Sequence, residues 1–273
     1  MAPSLPASAP PAGTVGFDAA GSDGVARVTF ANPGKHNAID IAMWRALRAL
    51  FERVQALPAT DAPRALVVCG AGGQFASGGD IAEFAGFRFD ETKLHHFHEN
   101  VVAPALDAML GCDIPLVAQI EGACIGGGLE IAACCDIRIA AAGSRFGAPI
   151  ARLGFPMAPG ELQLLARIVA APVLREMLLE AHLFDAARAL TLGIVHAVVA
   201  DDAVAPHALE RAQRIAALAP EAARANKRTL RQIAGGGPNA AERRAHFAYA
   251  DSAEHREGIA AFLEKRPPLF QRG

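Results

Sequence analysis

The segment PLVAQIEGACIGGGLEIAACCDIRIAA, Pro115–Ala141, passes from strand to helix and back to strand in one short stretch. PLVAQI (Pro115–Ile120) is a short, largely apolar run of the kind that forms a buried strand. Gly126-Gly127-Gly128 then opens a helix through Leu129 and Ile131, and DIRIA (Asp136–Ala140) reads as the next strand. Glycines at such a junction let the backbone turn tightly and let another group approach its N–H groups with no side chain intervening.

Working upstream, the same alternation recurs. ALVVC (Ala65–Cys69) is apolar on both faces, as a buried strand should be, and the glycine-rich stretch Gly70–Asp80 follows it. The apolar spacing predicts a helix over about Glu91–Leu110. VARVTF (Val25–Phe30) alternates as a strand and ends at the turn Asn32-Pro33-Gly34. Asp40 is placed to cap a helix carrying Met43, Leu47, Leu50 and Val54. Strand, glycine-rich loop and helix in repetition give an α/β class.

Downstream of about Ala200 the strand signals stop. Helices are predicted over Ala203–Leu218, Glu221–Ala234 and roughly Asn239–Lys265, with Gly235-Gly236-Gly237-Pro238 between the last two. These helices hold too little apolar surface for a core of their own. They dock on the same domain or on a neighbouring subunit. Three regions result: a Pro-, Ala- and Ser-rich tail over residues 1–20, expected to be disordered, a core over 21–200 and a helical oligomerisation region over 201–273.

Bulk properties narrow the function. The chain has 273 residues, 26 basic and 28 acidic groups and a net charge of -2. That balance provides no field for nucleic acid or an anionic membrane, although basic clusters stand at Lys227/Arg228/Arg231, Arg243/Arg244 and Lys265/Arg266. The mean hydropathy is +0.23, yet Asp113, Gln119, Glu121 and Glu130 interrupt the most apolar region, so no membrane span is expected. Surplus apolar surface points instead to subunit contacts. The N-terminal segment lacks the basic and apolar regions of a signal peptide. The five cysteines show no metal or disulfide spacing, which suits a reducing cytoplasm.

Two segments carry the chemistry: Gln74–Ile81, after a buried strand, and Glu121–Glu130, before a helix. Neither matches a phosphate-binding loop or a dinucleotide fingerprint. If their N–H groups converge on one carbonyl oxygen they form an oxyanion hole, in which each donor contributes about 3 kcal/mol. Glycine-rich turns also serve as plain strand-to-helix joints, and either segment alone admits that reading.

Five stretches in order resemble the crotonase (enoyl-CoA hydratase/isomerase) family across about Val25 to Phe270. They are VTFANPGKHNAID (Val28–Asp40), FASGGDI (Phe75–Ile81), the opening segment Pro115–Ala141, SRFGAPIARLGF (Ser144–Phe155) and EGIAAFLEKRPPLF (Glu257–Phe270). The resemblance implies a crotonase-like spiral of ββα units with a C-terminal helical trimerisation region, assembling as a homotrimer or a dimer of trimers. It implies that Gly79 and Gly127 supply the two N–H donors to a thioester oxygen, and that backbone around Ala76–Gly78 receives the adenine. It further implies that Lys35, Ala76, Ser77, Gly78, Asp80, Ile81, Gly126, Ile150, Phe262 and Lys265 surround CoA and the acyl chain. Phe262 and Lys265 belong to the last helix, where the resemblance implies that a basic residue meets a CoA phosphate; an amphipathic docking helix is an equal alternative.

Glu130 lies one helical turn beyond Gly127 and can face the same space. It matches one of the two glutamates with which resembling hydratases hold and deprotonate a water. Their second glutamate falls at Ile150, which moves no proton. Glu161, at an expected helix start in GFPMAPGELQLL, has two readings: a first-turn acid that complements the helix dipole, or a stand-in for the lost carboxylate. His95, His96 and His98 are expected on a solvated or pocket-lining helix face, without a metal. Trp44 and Tyr249 are expected to pack.

The expected activity is acyl-CoA chemistry through an enolate, hydratase-like or lyase-like, with Glu130 as acid/base. Isomerisation, thioester hydrolysis, decarboxylation and non-catalytic acyl-CoA binding remain as alternatives. Acyl-CoA or enoyl-CoA is the expected partner, without nucleic acid, membrane or metal. No separate cofactor is expected, because CoA arrives on the substrate.

Overall fold

The computed structural model describes residues 12–270. Two strands open it, β1 (Thr14–Asp18) and β2 (Val25–Ala31), paired antiparallel. Order thus begins before Val25: Val15 and Phe17 turn toward the core on alternate positions, a two-residue period that the Pro/Ala/Ser composition of the preceding residues obscured. The rest of the expected disordered tail, residues 1–11, lies outside the described residues.

Helix α1 (Ile41–Gln55) follows, and Asp40 caps it as expected, accepting from the Met43 N–H at 2.7 Å. The same carboxylate accepts from the Gly13 N–H at 2.8 Å, which ties the strand entrance to the helix start. Next come β3 (Ala65–Gly70), α2 (Glu91–Phe97) and α3 (Ala103–Gly111). The helix expected over Glu91–Leu110 is interrupted by a π-turn at His98–Val102. Pro104 has no N–H for the preceding turn and its ring crowds that turn's carbonyl, so a regular ladder cannot pass through.

The chain continues as β4 (Leu116–Ile120), β5 (Ala123–Ile125), α4 (Gly127–Ala133), β6 (Ile137–Ala141) and β7 (Arg145–Gly147). It then forms α5 (Pro159–Leu165), α6 (Ala171–Leu179), β8 (Phe184–Asp185), α7 (Ala186–Thr191) and β9 (Ala197–Val199). The main sheet runs β1-β2-β3-β4-β6-β9 and is parallel beyond β2. A small sheet, β5-β7-β8, stands beside it.

β3 and β4 are buried along their whole length because both faces are covered. Leu66, Val68, Leu116 and Ala118 pack with α1 and α3. Ala65, Val67 and Val117 face the opposite way, against helix α8 (Val204–Ala216). That helix offers Ala208, Ala212 and Ala216 at four-residue spacing, a small-residue stripe that lets it lie close to the sheet.

The remaining helices are α9 (Pro220–Ala234), α10 (Ala240–Ala245) and α11 (Ala253–Leu263). The single helix expected over Asn239–Lys265 is broken because Ser252 adopts an extended backbone and caps a new helix through the His255 N–H. No residue of α9 is buried, so polar contacts hold it. Arg228 and Arg231 each reach Asp113 at 2.7 Å and Lys227 reaches Asp136 at 2.8 Å, so this basic cluster serves the fold. Among the described residues no helix is long and apolar enough to cross a membrane.

Candidate active site

The two glycine-rich loops are joined to each other. Ala76 N–H donates to the Ala123 carbonyl at 2.8 Å, Ile125 N–H donates to the Ala76 carbonyl at 3.0 Å, and Phe75 N–H donates to the Glu121 carbonyl at 2.7 Å. The contact is close enough to demand glycine at position 128, where an added Cβ would lie 2.5 Å from the Ala76 carbonyl oxygen. Gly78 and Gly126 both hold positive φ, 109° and 49°.

These loops form one wall of a cavity of about 290 Å³ to which Gly79 and Gly127 both contribute. Gly127 is the first residue of α4, where a helix leaves its amide without an internal partner. Gly79 lies between Gly78, whose carbonyl accepts from Ile39, and Asp80, whose N–H donates to Ile39. That bridge uses the neighbours of Gly79 and leaves its own N–H out of the pairing.

Glu130 lines the same cavity and is buried. Burial pushes its carboxyl up to about 8; Glu161 adds to the rise and the Arg88 guanidinium opposes it. Glu161, in the first turn of α5, is also buried and also lines the cavity. Its Oε1 is 2.7 Å from His98 Nδ1. Ile150, next to Pro149, lies on the cavity wall, so the site contains two carboxyls, neither of them at position 150.

The other expected residues divide. Ser77, Gly78, Ile81 and Gly126 line the cavity. Ala76 is buried behind them and its N–H and C=O are spent on the bridge between loops, as is the Ser77 N–H on the His36 carbonyl. Within Ala76–Gly78 the Ser77 carbonyl and the Gly78 N–H have no backbone partner among the described residues. Lys35 and Asp80 pair with each other at 2.6 Å and do not line the cavity, and Asp80 caps the 3₁₀ turn Ile81–Gly86 through the Ala82 N–H. Phe262 is 81% exposed and Lys265 is exposed; neither reaches the cavity of its own chain.

Sequence reasoning did not assign His98 to Glu161 and did not single out Arg88. The π-turn begins at His98, and a Pro104 six residues later was the available signal. Arg88 stands between Phe87 and Phe89 in sequence, a pattern with no specific meaning by itself. Trp44, expected to pack, is buried and also borders the cavity, where its Cζ2 would lie 3.0 Å from a Cβ at Gly127.

Comparison with known proteins agrees with this architecture. The family model for enoyl-CoA hydratase/isomerase matches residues 20–273. The chain is 32% identical to a 2,3-dehydroadipyl-CoA hydratase of Escherichia coli, across 89% of this chain and 94% of that protein. It is 32% identical to a probable enoyl-CoA hydratase of Rhizobium meliloti, across 90% and 94%. Among solved structures, an enoyl-CoA hydratase/carnithine racemase from Magnetospirillum magneticum superposes with a TM-score of 0.87 at 36% identity, covering 92% of this chain and 93% of that one. With the paired glycine loops, the parallel sheet and a match over nearly the whole length, the chain belongs to the enoyl-CoA hydratase/isomerase family.

Proposed function

We propose that the protein hydrates an enoyl-CoA thioester, with Glu130 and Glu161 dividing the proton transfers. The observation that carries this reading is the presence of both carboxyls in the cavity that Gly79 and Gly127 border, although position 150 is isoleucine. The Gly79 and Gly127 N–H groups hold the thioester oxygen as negative charge gathers on it. Glu161, oriented by His98, accepts a proton from the water whose oxygen bonds to the β-carbon. Glu130, carried as the acid by its raised pKa, delivers a proton to the α-carbon as the enolate collapses. CoA enters with the substrate, and this chemistry calls on no metal or redox group.

The exposed apolar side of α11, with Ile259, Phe262 and Leu263, supports packing against a second copy in a trimer or paired trimers. Phe262 and Lys265 would then serve a neighbour's CoA. The near-neutral charge and unpaired cysteines support a cytoplasmic location.

Incubation with crotonyl-CoA while following the enoyl absorbance tests the reading. Loss of absorbance that Glu130→Gln and Glu161→Gln each suppress is the expected result. Turnover indifferent to both substitutions would overturn it, as would tight acyl-CoA binding with no turnover of any thioester.

A further inference from the structure

Arg88 reaches the cavity in the corner formed by two aromatic rings, its Cζ 4.2 Å from the centroid of Phe84 and 3.9 Å from that of Phe155. Its Nε is buried and hydrogen-bonds to nothing among the described residues. An arginine with a free choice directs its guanidinium into water and buries only its stem. Here the side chain is half-buried with Nε enclosed, and burial lowers its proton affinity below the usual arginine range despite the opposing influence of Glu161 and Glu130.

The two rings stand at 73° to each other with centroids 6.0 Å apart, so they form a corner that restrains the guanidinium from adjoining directions and supply no acceptor for its N–H groups. The neighbouring acids favour its charge but neither hydrogen-bonds to it among the described residues. Glu161 Oε1 is taken up by His98, and Glu130 keeps its proton up to about pH 8. The walls nearby, Phe97, Val102, Ile150 and Met157, are apolar. An acyl chain lying along them encounters the Arg88 guanidinium, whose planar fork matches a carboxylate; the second arginine of the lining, Arg152, donates to the Ala181 carbonyl at 2.9 Å.

Resting on the thioester reading above, we propose that Arg88 anchors a carboxylate borne on the acyl chain, so that the substrates are CoA thioesters of dicarboxylic acids. A plain fatty acyl group offers that fork no acceptor.

Saturated thioesters separate recognition from chemistry. Calorimetric titration at neutral pH compares butyryl-CoA with succinyl-CoA, and hexanoyl-CoA with adipoyl-CoA. In one pair or both, the carboxylated member binds the wild-type protein about tenfold more tightly, the scale of one charge-assisted contact. Arg88→Leu abolishes that preference, and Arg88→Lys, which keeps a cation without the planar fork, retains part of it. Indifference to the carboxylate in both pairs, or a preference that survives Arg88→Leu, overturns the assignment of Arg88 and leaves the thioester reading standing. Failure of all four thioesters to bind overturns both.

Discussion

His98 Nδ1 lies 2.7 Å from Glu161 Oε1, linking the π-turn between α2 and α3 to the first turn of α5. The imidazole fixes which way the carboxylate faces, as an orienting partner does for any acid–base group. Glu161→Gln, which preserves shape and removes the proton site, lowers kcat for crotonyl-CoA by about 10²-fold or more. His98→Asn has a smaller effect, because the carboxylate survives without its orienting partner. Steady-state kinetics on both variants checks the order.

Glu130 gives a pH signature. Its folded pKa of about 8 exceeds the ordinary 4.5, so the proposed acid is present below pH 8 and lost above it. The rate falls as pH rises through about 8. In Glu161→Gln one cause of the raised value is gone, and the falling limb moves to lower pH. Residual-rate profiles or carboxyl infrared bands read the shift.

The same burial affects stability. Between the ordinary value and about 8 the folded chain holds a proton that the unfolded chain has released, so this group's contribution declines as pH rises across that window. Glu130→Gln escapes the decline. Thermal melts at pH 6 and pH 9 give the variant a smaller loss of Tm than the wild type.

Gly128→Ala tests the joint between the loops. The added Cβ meets the Ala76 carbonyl oxygen at 2.5 Å, and backbone rather than a flexible side chain must give way. Overpacking of this kind costs about 1–3 kcal/mol. Turnover falls further than stability does, because the shift separates Gly79 from Gly127. Denaturant melts alongside kinetics distinguish the two effects.

Asp40→Ala removes acceptors from the Met43 and Gly13 N–H groups together. A lost helix cap costs about 1 kcal/mol, and the second lost contact adds to it. Chemical denaturation measures the sum, with the strand entrance at Gly13 exchanging its amide protons sooner.

Much of the main sheet and of the cap at Asp40 could be read from residue patterns, since apolar runs such as Ala65–Cys69 and a carboxylate before a helical face are local signals. β1 escaped because its alternation is short and follows a tail-like composition. The break at His98 escaped because apolar spacing continues through it, and only Pro104 objects. Glu130 was legible because it lies one turn from Gly127. The positions of Glu161 and Arg88 depend on contacts between distant segments, with α2–α3 and the Phe155 loop, which no local period encodes.

The bridge between Ala76 and Ile125 is built wholly from peptide groups. On the proposed reading, side-chain exchange around it, such as isoleucine at 150, leaves the thioester-holding amides in place while the proton-handling role passes to a carboxyl at another position. A scaffold of this kind can change its reaction by relocating one acid at a time.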